Sequence, residues 1–389
     1  MDDHGRPMAR IAGFLGRHFL ALLFASYAAA AFWPGPGLGM RSLTLGRIGV
    51  GPIRTEASLP FLMLACLLFN AGLNVRLSQI GGLVRRPRML GAGLAANVFF
   101  PIVFILAVSW WMTWWHNLDE TQNLLVGLAL IASMPIAGSS TAWSQNADGD
   151  MPLSLGLVLG STFLSPLLTP MALHAVGFVA IGDYGEDLHE LASGHTGSFL
   201  AIGVLAPSVL GILAGRAVRP ERLSTIKPHL KVINSAILLA LNYSNAAISL
   251  PQAIAHPDLD FLTITLGVVT SLCVLAFVVG WVIARVLGAG RDQRIALMFA
   301  LGMNNNGTGL VLASMALADH PAVMVPIIFY NMVQHLVAGA AGALIQRPAR
   351  ERAVAAPIAA VSTNPTPTAD IHPSLDRAER LHCTHAVQG

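Results

Sequence analysis

Apolar runs long enough to cross roughly 30 Å of hydrocarbon return along this chain from Phe14 to Leu344. Lipid gives an unpaired backbone group no partner, so each run is expected to fold as a helix. Ten spans can be marked, at residues 14–33, 58–74, 89–111, 124–145 and 153–179, then 199–215, 232–250, 261–287, 295–318 and 323–344. Charged residues supply only 11% of the 389, against about 25% in soluble domains. The sequence is that of an all-α polytopic membrane protein, and a soluble globule is excluded.

Two spans are interrupted. The fourth is broken at Pro135–Gly138 and then carries Ser139, Ser140, Thr141 and Ser144 before a short acidic turn, Asp148-Gly149-Asp150. The ninth is broken at Gly302-Met303-Asn304-Asn305-Asn306-Gly307-Thr308-Gly309. Pro removes a backbone donor and Gly loosens the helix, so each break frees hydrogen-bonding groups at membrane depth. Such groups are tolerated only where protein or water satisfies them again.

Lys and Arg set the sidedness. Arg6 and Arg10 precede the first span and Arg17 falls at its start; Arg76, Arg85, Arg86 and Arg88 fill the second loop. Arg216, Arg219, Arg222, Lys227 and Lys231 lie in the sixth loop, Arg285, Arg291 and Arg294 in the eighth, and Arg347, Arg350, Arg352, Arg377 and Arg380 in the tail. All fall on one side, leaving the other with Arg41, Arg47, Arg54 and acidic loops such as Asp183-x-x-Glu186-Asp187-x-x-Glu190. Both termini are therefore expected in the cytoplasm, and the chain in the plasma (inner) membrane. The basic start also fits a signal peptide, but ten retained spans give the consistent charge map. Five spans per half make the halves insert in opposite senses, with one break in each half. Paired interruptions in inverted halves point to the site of a secondary transporter. The expected organisation is a cytoplasmic N-terminus (1–13), two inverted five-helix repeats (14–180 and 198–346) and a disordered cytoplasmic tail (347–389), Pro/Ala/Thr-rich and without periodicity.

The three cysteines, Cys66, Cys273 and Cys383, fit neither a metal site nor a disulfide framework. The net charge of +3 encodes orientation here and is no sign of nucleic-acid binding.

At the two broken segments the chain resembles the bile acid:sodium symporter family, over roughly residues 14–344. The landmarks, in order, are Phe69-x-x-Gly72-Leu73, Arg86-Pro87-Arg88, Pro135 with its hydroxyl cluster, and Gly149-Asp150-x-x-Leu153-Ser154. Ser161-Thr162-x-x-Ser165-Pro166-Leu167-Leu168-Thr169-Pro170, Gly302-Met303-Asn304-Asn305 and His335 follow. The resemblance implies ten helices in two inverted repeats, a panel and a core domain, unwound fourth and ninth helices crossing near the substrate, and import of organic anions with sodium. It places the family's first sodium site on Ser140, Thr141 and Ser154, with Val158 where the family has Thr. Asn304-Asn305 stand for its Gln-Asn pair, Ile136-Ala137 for its double Gly, and Ala300 for the Glu of its second site. A family Gln falls on Ala96, beside Asn97.

The candidate ion ligands are therefore Ser140, Thr141, Ser154, Asn304 and Asn305, with Na⁺ the only candidate ion and no other cofactor expected. Asn97, Ser139, Ser144, Asn306, Thr308 and His335 are the candidate substrate contacts. Isolated hydroxyls in membrane helices mostly bond their own backbone or glue neighbours, and the same holds for Asn97 and His335. Three consecutive asparagines in an apolar run, each amide needing partners, are harder to read as packing. No Asp or Glu falls within a span, so sodium would bind neutral oxygens only and an antiporter loses its usual carboxylate. Arg17 and Arg285 lie at span ends and no Lys or Arg falls in a span's interior, leaving an anion to half-helix N-termini and amides.

The expected function is secondary transport of a small organic anion by alternating access, with weak or absent sodium dependence; a sodium-independent carrier of the same fold is the alternative. No catalytic residue is expected. An intramembrane serine hydrolase using Ser139 with His174 or His335 is a minor alternative, since no fixed spacing joins them. A sensor with the tail as output finds no foldable output domain. The partners expected are the organic anion and the bilayer. The sequence leaves the oligomeric state open.

Overall fold

The computed structural model describes residues 5–50, 53–75, 87–194, 196–317 and 319–355. Arg76, Arg85 and Arg86 of the charge map, Ala318 at the end of the ninth span, and the tail from 356 onward lie outside the described residues.

The described chain is mostly helical. In order it runs through α1 (Gly5–Arg17), α2 (Phe19–Phe32) and α3 (Pro34–Ser42), then a hairpin of β1 (Thr44–Val50) and β2 (Ile53–Ser58). Helices α4 (Leu59–Leu73), α5 (Pro87–Met112), α6 (Leu118–Ser133), α7 (Ser139–Asn146), α8 (Met151–Gly177) and α9 (Asp183–Ser193) follow. Next come α10 (Thr196–Ala217), α11 (Pro220–Ala246), α12 (Leu250–Ala255) and α13 (Leu259–Val286). The last are α14 (Arg291–Gly302), α15 (Asn306–Ala316) and α16 (Met324–Ala355). Among the described residues five helices are long and apolar enough to cross a membrane, or six if α1 and α2 count as one bent span. Residues Met1–Ile345 form one compact unit and Gln346–Gly389 a second.

Polar side chains start several of these helices. Asn117 accepts from the Asp119 and Glu120 N–H groups, Asp150 from Leu153 N–H (3.1 Å) and Asp258 from Phe261 N–H (3.1 Å). Each satisfies donors that the first helical turn leaves free.

Three features depart from the spans drawn on the sequence. The run expected as one helix from Phe14 bends by 73° at His18. It is an amphipathic α1, with Arg10 and Arg17 among apolar residues, followed by the apolar α2. The seventh helix begins at Pro220, well before its apolar run, and carries Lys227 and Lys231 with it. The hairpin at 44–58 was not foreseen; Gly46 takes φ +101°, which only glycine adopts without strain.

Packing sorts the helices into two groups. One joins α1, α2, α3, α4, α10 and α11; the other joins α5, α6, α7, α8, α13 and α14, and the first half of α10 also packs across on α8. Within the first, Gly72 and Gly211 let α4 and α10 touch backbone to backbone, since a Cβ at either would overlap the Ser208 or Phe69 carbonyl oxygen. Small residues serve this purpose wherever lipid provides no hydrophobic drive between helices. α15 then bridges the groups, packing on α11 and α4 from one and α6 from the other.

Candidate functional site

Helix α6 stays buried to Ser133 and stops there, because Pro135 has no N–H to continue the ladder and Met134 before it is extended (ψ 147°). Helix α14 stops at Gly302, with Met303 extended (ψ 110°). The two extended stretches lie side by side, and Ile136 and Asn304 form an antiparallel bridge. Ala137 N–H donates to the Met303 carbonyl and Asn305 N–H to the Pro135 carbonyl, each at 2.9 Å. Ile136 N–H donates to Ser161 Oγ (3.0 Å), Asn304 N–H to Gln334 Oε1 (3.0 Å) and Thr169 Oγ1 to the Ser133 carbonyl (2.6 Å). Each break meets the needs the other creates, with help from α8 and α16. Irregular backbone persists in a membrane on that condition.

The candidate residues fall into three sets around this pairing. The first is buried polar groups without a protein partner. The Oγ atoms of Ser140, Ser144 and Ser154 are fully buried and unpaired, as are Thr308 Oγ1 and both polar side-chain atoms of Asn306. A buried polar group with no partner costs about 1–3 kcal/mol, so each is a place where water, ion or substrate would be stabilised. The second set has structural duties. Asn304 Nδ2 donates to the Ile131 carbonyl (3.1 Å), which leaves only its buried Oδ1 free. Asn305 Oδ1 caps α15 through Thr308 N–H (3.4 Å), and Thr141 Oγ1 bonds back to the Gly138 carbonyl (2.7 Å). The third set stands apart. Ser139 is exposed, Asn97 lines a small gap with Pro135 and Ser161, and His335 is buried edge-on against Phe19 with a 5.6 Å ring separation.

The oxygens of Ser140, Ser144 and Ser154 are hard and neutral, which suits Na⁺ in type but offers no charge to offset its dehydration. Ala300 is fully buried among Ile136, Leu153, Leu157 and Leu297, so the place of the expected acidic ligand is apolar as well as uncharged.

A cavity of about 720 Å³ lies against the breaks. One wall is the crossing itself, through Ile136, Gly138, Thr141, Gln145 and Asn305. The facing wall is α4 and α11, through Leu67, Asn74, Leu230, Asn234 and Leu238, with the exposed Lys227 and Lys231 at its rim. Among the described residues no acidic one lines it. The expectation that cations lie only in loops is corrected here: α11 outlasts its apolar run, and both lysines sit on helix beside the cavity. Asn234, whose Oδ1 accepts from Asn70 Nδ2 at 2.8 Å, was also missed. Its signal was present, for Lys227, Lys231, Asn234 and Leu238 recur at steps of three and four on one helical face.

A buried polar chain reaches the crossing from the other group of helices. Gln334 Nε2 donates to Asn331 Oδ1 (3.1 Å), and Asn331 Nδ2 donates to Tyr27 Oη (2.7 Å) and to Asn242 Oδ1 (3.3 Å). With the Asn304–Gln334 bond it ties the second break to α2 and α11. None of Tyr27, Asn242, Asn331 or Gln334 stood out in the sequence, because a phenol and three amides scattered over three helices make no local pattern.

At the opposite ends of α4 and α10 lies a second cavity of about 450 Å³, lined by Arg47, Glu56, Asp187, Glu190 and, from α15, Leu312 and Met315. Its charge is mainly acidic. Burial raises the Asp187 carboxyl above its ordinary range, against the pull of His320 at 3.5 Å.

A model of the sodium bile acid symporter family matches residues 61–255. Among curated proteins, the chain is 26% identical over 223 residues to an uncharacterized protein, YbaS, of Bacillus subtilis, covering 57% of this chain and 69% of that one. It is 26% identical over 301 residues to the probable chloroplastic sodium/metabolite cotransporter BASS1 of Oryza sativa subsp. japonica, covering 75% of this chain and 63% of that protein. To sodium/bile acid cotransporter 7 of Mus musculus it is 22% identical over 305 residues, covering 74% and 83%.

Proposed function

The chain belongs to the sodium bile acid symporter family, and on that premise we propose that it is a secondary carrier moving a small organic anion by alternating access. The observation that carries the reading is the 720 Å³ cavity, bounded on one side by the paired breaks and on the other by α4 and α11. A gap between two helix groups, one of which holds a rigid crossing, is where rocking of one group on the other would expose a site to each side in turn. The lining suits an amphipathic anion: lysines at the rim, amides and Thr141 within, leucines between.

In this reading the described helices belong to ten spans in two inverted five-helix repeats, 14–180 and 198–346. Both termini, and the cavity's lysine rim, face the cytoplasm of the plasma (inner) membrane.

Sodium coupling is weak or absent. Ser140, Ser144 and Ser154 offer Na⁺ a neutral site, and Ala300 withholds the charge that would make it strong. The hydrolase reading has no geometric support: His174 is engaged with His189, Nδ1 to Nδ1 at 2.8 Å, and His335 packs on Phe19. Uptake of labelled carboxylates and sulfonates into proteoliposomes, with sodium or potassium outside, tests the whole. An organic anion should accumulate or exchange, with sodium changing the rate by less than about twofold. Transport of no anion would overturn the carrier reading; strong sodium stimulation would overturn the coupling assignment alone.

A further inference from the structure

At the end remote from Lys227 and Lys231, Arg41 joins α11 to α15. It leaves α3, just past the first apolar run, and reaches two other helices. Its Nη1 donates to Asn245 Oδ1 on α11 at 2.9 Å, and its Nη2 to the Ser314 carbonyl of α15 at 2.8 Å. Ser314 lies in the last turn of α15, where carbonyls lack helical partners and the helix dipole is negative. A planar guanidinium suits two such acceptors at once. Among the described residues no carboxylate pairs with it. Burial pulls its pKa down to about 10, which still leaves it charged at neutral pH.

The surface beneath Arg41 continues the lining of the cavity. Lys227, Lys231, Asn234, Leu238, Asn242 and Asn245 follow one another at steps of three and four, so one face of α11 runs from the lysine rim to Arg41. At the Arg41 end the face is shut by α15, and the side-chain nitrogens of Asn242 and Asn245 are buried there without partners. α15 is the half-helix that restarts from the second break. If the crossing moves relative to α11, α15 is the element that withdraws, and Arg41 then loses Ser314 but keeps Asn245.

We propose that Arg41 is the charge partner of the substrate in the state open at its own end, and that its bond to Ser314 latches that end shut in the state described. The anion thus meets a cation at each mouth, the lysines of α11 at one and Arg41 of α3 at the other. The proposal rests on the carrier reading above.

Sided kinetics separate the two. In right-side-out and inside-out vesicles, Arg41→Gln should raise KM for the transported anion about tenfold at the Arg41 mouth and leave it within about twofold at the lysine mouth. Lys231→Gln should do the reverse. Arg41→Lys should recover part of the affinity, since it restores charge but not the fork. Equal KM changes at both mouths, or none, would overturn the proposal. The latch is read independently of transport, with Cys66, Cys273 and Cys383 replaced by alanine and a single cysteine at Thr308. Arg41→Gln should speed its alkylation from the Arg41 side several-fold; an unchanged rate would overturn the latch. Absence of any uptake by the wild-type chain would sink the carrier reading instead and leave the alkylation result to decide the latch.

Discussion

The two breaks look alike as interruptions and differ in what their side chains do. After the first, the polar side chains are hydroxyls, and Ser140 and Ser144 are buried with nothing to bond. At the second they are amides, and two of the three are committed. Asn304 holds Ile131 and is itself held by Gln334, and Asn305 caps α15; Asn306 is idle, as is the hydroxyl of Thr308 beyond the asparagines. The second break builds the crossing, and the first leaves oxygens open for a ligand. A polar cluster in a membrane helix is thus either framework or site, and hydrogen-bond accounting distinguishes them better than residue type does.

The largest effect should come from the framework. Asn304→Ala removes the donor to Ile131 and should cost about 1–3 kcal/mol of stability. Uptake should fall at least about tenfold as the crossing loosens. Thermal unfolding in detergent together with proteoliposome uptake would check this. An Asn304→Ala protein with wild-type stability and transport would remove the distinction between the breaks.

A middle-sized effect should follow from restoring charge opposite the hydroxyls. Ala300→Glu buries a carboxylate in an apolar cluster, so the unfolding temperature should fall in potassium buffer. Sodium should recover part of the loss, because the ion would then have both a charge and the free serine oxygens. If sodium recovers nothing, Ser140, Ser144 and Ser154 are not in reach of that position.

The smallest effect belongs to Ser154→Ala. Its hydroxyl satisfies no protein group, so its removal should change stability by less than about 1 kcal/mol, in either direction. Any small stabilisation of the wild-type chain by sodium over potassium should vanish in this variant. A large destabilisation would mean that Ser154 is framework after all.

Much of this was legible in the chain because it depends on local chemistry. Continuous apolar runs mark the membrane helices, and Pro135 and Gly302 mark where two of them stop. Asn117, Asp150 and Asp258 could be read as caps, since capping is settled within one turn. The end of a helix beyond its apolar run was only partly legible. Pro220 followed by Glu221 and the helical spacing of Lys227, Lys231 and Asn234 are local signals for α11, but whether its polar turns hold depends on what they pack against, here α1.

By itself, then, the sequence determined that the chain is helical, membrane-bound and twice broken at polar segments. Tertiary structure decided the rest: which break supports the other, which of eleven polar candidates are already satisfied, and that α11 carries Lys231 towards one end and is bonded by Arg41 towards the other. The physical reason is range. Helix formation and its interruption are fixed by a residue and its near neighbours, whereas a hydrogen bond such as Asn304 to Ile131 or Arg41 to Ser314 joins residues far apart in the chain. Only the packed molecule brings those partners together.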